Sequence, residues 1–165
     1  MTPLIAAHAF AAVVALLLGG WQLFLGPRGT RGHRLAGRVW VVALLFVAGS
    51  SFWIQEIRPG HFSALHALSV VTLVTVPLGI LAARRGDLRH HRSAMTGNWL
   101  GLVGAGAAAA LVPQRAIPQL VVHDPVTAAL ALGVVVATAV AVVGVGRALD
   151  AVVTPAPSGQ DRIAS

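Results

Sequence analysis

The chain has 165 residues, 56% of them hydrophobic and 10% charged, where a soluble domain carries about 25% charged residues; with a mean hydropathy of +0.80 it must be lipid-embedded. Its net charge of +7 rests on arginines set in short gaps between apolar runs, which argues against a basic nucleic-acid face. The absence of cysteine excludes disulfides, thiolate nucleophiles, iron–sulfur ligation and covalently attached haem.

Apolar runs follow one another at 4–25, 39–54, 62–83, 99–112 and 126–145. A helix crosses the hydrocarbon core with about 20 residues. The second and fourth runs reach that length once extended back over their polar starts, to His33 and His91. Met1, Thr2 and Pro3 supply no basic segment ahead of the first run, so a removable signal peptide is not expected. Pro77, inside the third, predicts a kink and a carbonyl needing another partner. The runs are continuous in Ala, Val, Leu and Gly without the alternation of a barrel strand. The expected fold is an all-α integral membrane protein, with 1–150 as one five-span domain: a four-helix transmembrane bundle over 4–117 and a fifth helix over 126–149. Residues 151–165, rich in Pro and Ser, read as a disordered cytoplasmic tail.

Arginines set the expected orientation. Arg28, Arg31, Arg34 and Arg38 fill the first gap, Arg84, Arg85, Arg89 and Arg92 the third, and Arg147 and Arg162 follow the last span, while only Arg58 and Arg115 lie in the other two gaps. This bias places the N-terminus outside and the C-terminus in the cytoplasm of a bacterial inner membrane.

Ionisable residues inside a membrane are costly and therefore functional candidates. Counted from the outer face at 1.5 Å per residue, His8 lies about 6 Å into the first span and His66 about 9 Å into the third. From the cytoplasmic face, His33 and His91 both open inward-starting helices. In an up-down bundle the first and third helices are diagonal, as are the second and fourth. Each pair then presents two imidazoles at matched height across the core, the arrangement that clamps a planar haem iron. The two levels lie about 20 Å apart by helical rise. Stripes of Ala11, Ala12, Ala15, Gly19 and Gln22 below His8, of Ala36, Gly37 and Trp40 after His33, and of Met95, Asn98 and Gly101 after His91 leave room for a ligand or for close helix packing.

His61 stands about 140° around the helix from His66 and cannot share its iron. His90 is an alternative to His91. His123, beside Asp124 and Pro125, reads as a solvated loop residue. Arg34, Arg38 and Arg92 flank the inner pair, as lipid-facing charges or as partners for haem propionates. Trp21, Trp40, Trp53 and Trp99 read first as interfacial anchors. No acid occupies a span interior, which argues against a carboxylate proton relay, and no serine has an acid partner for a hydrolytic triad.

The segments HRLAGRVWVV (33–42), SSFWI (50–54), HFSALHALSVVTLV (61–74), ARRGDLRHHRSAMTG (83–97) and VPQRAI (112–117) resemble a bacterial family of predicted integral membrane proteins described only as a domain of unknown function. The likeness covers 8–117. It implies His8, His33, His66 and His91 with Met95 as the shared positions, favours His91 over His90, and leaves the fifth helix peripheral. Gln114 departs from the glycine usual before Arg115. The layout is also similar to four-helix di-haem cytochromes b, which implies two b-type haems and electron transfer across the bilayer. The expected function is thus a haem-dependent oxidoreductase component, with quinone or another small redox partner as donor or acceptor. Competing with it are a zinc or copper site of His8, His61, His66 and His123 near the outer face, and a structural or accessory subunit whose histidines bond helix to helix.

Overall fold

The computed structural model of the protein describes residues 2–54, 64–111 and 121–153. Among these residues the principal elements are α1 (Pro3–Phe24), α2 (Arg31–Ser50) with a 3₁₀ turn at Ser51–Trp53, α3 (Ala64–Arg84), α4 (Leu88–Leu111) and α5 (Pro125–Val153), and there is no strand. His61, Arg58, Arg115 and the tail from 154 on lie outside the described residues.

Helices α1, α2, α4 and α5 start where a side chain can meet their orphan amide groups. Thr2 accepts from Ile5 ahead of Pro3, Thr30 accepts from the His33 amide at 3.1 Å, Asp87 from that of His90 at 3.1 Å, and Asp124 from that of Thr127 at 3.1 Å; these are preferred caps. They begin α2 and α4 two and three residues ahead of the histidines from which the full spans are counted. Between α3 and α4, Gly86 takes a φ of 80°. The Asp87 amide reaches back to the Ala82 carbonyl at 2.9 Å and that of Gly86 to Ala83 at 3.1 Å, a glycine stop that turns α3 directly into α4.

Four helices, α1, α2, α3 and α5, are long and apolar enough to cross a membrane. Polar residues at its start, Arg89, His90, His91 and Arg92, set α4 apart. Its 24 residues still extend about 36 Å at 1.5 Å each.

Contacts run in a ring, α1 on α2, α2 on α3, α3 on α4 and α4 on α1, with α5 outside against α2 and α1. Helices α1 and α3 are therefore diagonal, as are α2 and α4. Antiparallel register is visible at both ends: His8 meets Ser50, Ser51 meets Ser69, Gly79 meets His91, and Gly32 meets Asp150. Thr2 and Val153 thus lie at opposite ends of the bundle. The core gathers Val14, Ala15 and Leu18 with Trp40, Leu44, Val76 and Leu102, and α5 adds Val135 and Ala139. Outward faces of α3 and α5 expose Val70, Val74, Leu78, Leu130 and Val140, as lipid contact requires.

Trp40 is 4% exposed, and Trp99 donates to the Leu16 carbonyl at 3.0 Å. These two are core residues, correcting their assignment as interfacial anchors. Because α2 starts at Arg31, Trp40 falls well inside the span and not at its edge. Trp53, at 76% exposure, fits an interfacial place.

The α2–α5 crossing depends on glycine. A β-carbon at Gly32 would stand 2.7 Å from the Gly146 carbonyl oxygen, while one at Gly133 would meet nothing within 4 Å. Overpacking a tight contact costs about 1–3 kcal/mol. Gly32→Val is expected to lower the thermal midpoint of the detergent-purified protein by several degrees, and Gly133→Val to leave it nearly unchanged, as read by intrinsic tryptophan fluorescence.

Candidate functional site

In one half of the bundle the four core helices enclose a cavity of ≈ 740 Å³. His8 enters it from α1 and His66 from α3, with Ser69, Thr72, Asn98 and Trp99 among the polar or amphipathic groups of an otherwise apolar wall. Ala9, Ala12, Ala48 and Gly106 supply the room. Of the small-residue stripe below His8 only Ala12 is in this wall, while Ala15 is packed in the core and Gly19 lies against Trp40 and Trp99.

His8 is tied to the end of α2. Its Nδ1 lies 2.8 Å from Ser50 Oγ, and that hydroxyl lies 2.7 Å from the Phe46 carbonyl. With the hydroxyl proton on Phe46, Ser50 accepts from Nδ1–H, an arrangement that leaves the lone pair on Nε2, where a metal can be ligated. His66 is 8% exposed and packs against Phe52 with ring centroids 5.9 Å apart. One turn along α3, Ser69 accepts from Ser51 at 2.8 Å and donates to the Leu65 carbonyl at 3.1 Å. This pins the level of His66 to the top of α2, close to that of His8.

At the other end, His91 turns into the bundle and its Nδ1 donates to the Gly79 carbonyl at 3.0 Å, again leaving Nε2 basic. His33 is half-buried and its Nδ1 has no hydrogen-bond partner. His91, Arg28 and Arg34 all lie within electrostatic reach of it. The structure thus groups His8 with His66 and His33 with His91. His90 faces away: its imidazole is 78% exposed and bonded to Asp87. His123 is exposed. Among the described residues no three His, Asp or Glu gather into a metal-binding group.

The arginines divide. Arg34 spends its guanidinium on the Gly29 carbonyl at 2.7 Å, and Arg38 is exposed. Arg92 stands beside Arg89 on a groove formed by α4 residues, not beside His33.

Residues 5–145 match the family model described as Predicted membrane protein (DUF2306). The chain belongs to this family. No curated protein and no solved structure matches it. The DUF2306 match runs on through most of α5, so the fifth helix is part of what the family shares, which corrects the narrower span of 8–117.

Sequence reasoning missed two supports. Ser50 hydrogen-bonds His8 Nδ1. Asp150 caps α2 next to His33, accepting from the Gly32 amide at 2.9 Å. Gln22 and Trp40, already on the stripes of His8 and His33, present buried side-chain donors, Nε2 and Nε1, without an acceptor. Ser50 and Asp150 were not detectable, being 42 and 118 residues from their partners.

Asp87 lies outside the spans, and its carboxyl is held below the usual range, first by the His90 amide and then by the His90 imidazole. A lowered carboxylate stabilises fully above its unfolded value, about 3.9, and that contribution is lost as pH falls through the folded one. Asp87→Ala is therefore expected to melt below wild type at pH 7, with the gap closing toward pH 3, in thermal melts across that series.

Proposed function

We propose that this protein is a transmembrane electron carrier of the bacterial plasma membrane, holding one b-type haem between His8 and His66 and a second between His33 and His91. What carries the proposal is the ≈ 740 Å³ cavity with an imidazole from each of two diagonal helices in its wall. That volume lies within the range of about 300–1,000 Å³ common for ligand and cofactor sites. An apolar wall with an imidazole from each of two helices is the donor set of a bis-histidine haem, whereas zinc takes three or four protein ligands.

When bound, each haem would supply a one-electron iron couple, held by His8 with His66 or by His33 with His91, which would suit electron relay. The chain's own residues do the remaining work. Ser50 and the Gly79 carbonyl orient His8 and His91 and keep Nε2 free for ligation. The apolar wall excludes water. Arg28 and Arg34 place positive charge near the inner pair, which favours the reduced state there. Arg34 and Arg38, at the wet end of α2, are the candidates for propionate carboxylates. The arginine bias puts the His8 end outside and the His33 end at the cytoplasm. Donor and acceptor are small redox molecules such as quinone, met near opposite faces.

Absorbance of the detergent-purified protein tests the assignment. A Soret band is expected, and reduction should produce the α-band of a six-coordinate b-type haem. His8→Ala and His66→Ala should each remove the same half of the signal, and His33→Ala and His91→Ala the other half. A colourless protein after expression with added haem precursor would overturn it, and losses shared by His8 and His33 would refute the diagonal pairing.

A further inference from the structure

The first turns of α4 carry a face that neither the bundle nor the histidine sites use. Arg89, Arg92, Ser93, Thr96, Gly97 and Leu100 recur at helical spacing and border a groove of ≈ 660 Å³. Helix α3 packs on another side of α4, where Gly79 meets Ala94 and Met95 and Thr75 meets Asn98. Helix α1 is met through Trp99, and α5 lies against α1 and α2. The groove therefore faces lipid, and all its residues named here are exposed except the half-buried Thr96.

Its polar groups are donors in want of an acceptor. Among the described residues the one ion pair joins His90 to Asp87, so Arg89 and Arg92 have none. Ser69, Thr75 and Thr138 bond back onto their own helices, whereas the Ser93 and Thr96 hydroxyls stand on the groove. From the helix start inward the order is two guanidiniums, two hydroxyls, then Gly97 and Leu100. A β-carbon at Gly97 would meet nothing within 4 Å, so a chain can lie against the backbone there.

We propose that this face binds one anionic phospholipid, with its phosphate between Arg89 and Arg92, its ester oxygens at Ser93 and Thr96, and an acyl chain along Gly97 and Leu100. Charge, hydrogen-bond donors and apolar surface follow one another along α4 in the order of phosphate, glycerol ester and hydrocarbon. Arg84 and Arg85, just before α4, add charge of the same sign. A second copy of the chain fits less well. The small residues would permit close helix approach, but two-fold parallel pairing would set Arg89 and Arg92 against their own copies in a medium that strengthens repulsion.

Native mass spectrometry of the full-length, detergent-purified protein tests this, titrated with phosphatidylglycerol and with phosphatidylcholine of the same acyl chains. The expected result is one phosphatidylglycerol per chain, held at least tenfold more tightly than phosphatidylcholine. Arg89→Gln with Arg92→Gln should abolish the preference, and Arg84→Gln with Arg85→Gln should keep it. Ser93→Ala with Thr96→Ala, which alters no charge, should weaken phosphatidylglycerol several-fold and serves if the arginine variant is poorly folded. Equal retention of the two lipids, equal loss in the Arg84 and Arg85 variant, or displacement by inorganic phosphate at matching concentration would overturn the proposal. So would a dimer dissolved by Gly97→Leu and indifferent to added phosphatidylglycerol, which would assign the face to a second copy.

Discussion

Hydrocarbon offers no water, so a polar group in a membrane bundle must find its partner in the protein, and each unmet group costs several kcal/mol. A bond between membrane helices returns only about 0.6 kcal/mol on average. This asymmetry makes such bonds matter less as glue than as constraints on which registers are tolerable. Here they recur from one end to the other: His8 with Ser50, Ser51 with Ser69, Asn98 with Thr75, Trp99 with the Leu16 carbonyl, and His91 with the Gly79 carbonyl. Sliding one helix by a turn would leave several of them unmet together. The register they impose sets the heights of the histidines.

Small residues then decide where the bundle is tight and where it is open. Gly19 lies against the indoles of Trp40 and Trp99, with no space for a β-carbon, and Gly79 admits Met95 and Ala94 just as closely. Thr75 and Asn98, with Val76 beside them, tie α3 to α4 at mid-height. Toward the His8 end, Ala9, Ala12, Ala48 and Gly106 line the cavity. One residue class thus serves close packing where an aromatic ring fills the gap and empty volume where none does.

Charge is distributed as unevenly as volume. Among the described residues the cavity wall carries no arginine or acid, while the opposite end holds Arg28 and Arg34 near His33 and Asp150 on the α2 amide groups. Helix α5 contributes to this contrast from outside the bundle, since its last turns bring Asp150 to α2 through the Gly32–Gly146 crossing.

By itself the sequence determined the helices, four of them apolar enough to cross a membrane, because crossing hydrocarbon demands continuous length, and the caps of α1, α2, α4 and α5, because Thr2, Thr30, Asp87 and Asp124 act on amide groups only three residues away. Counting along a regular helix also gave the expectation of His8 with His66 and His33 with His91, and the structure puts His8 and His66 in one cavity wall and His33 within electrostatic reach of His91. What only the tertiary structure decided is direction and company. That His91 turns inward while His90 bonds Asp87, that Ser50 meets His8, that Trp40 is core, and that Arg92 joins Arg89 on one groove all depend on how helices rotate about their own axes. Rotation is governed by contacts between residues far apart in the chain, 42 positions for His8 and Ser50 and 118 for Gly32 and Asp150, and weak periodicity in such uniformly apolar helices carries too little information to set it in advance.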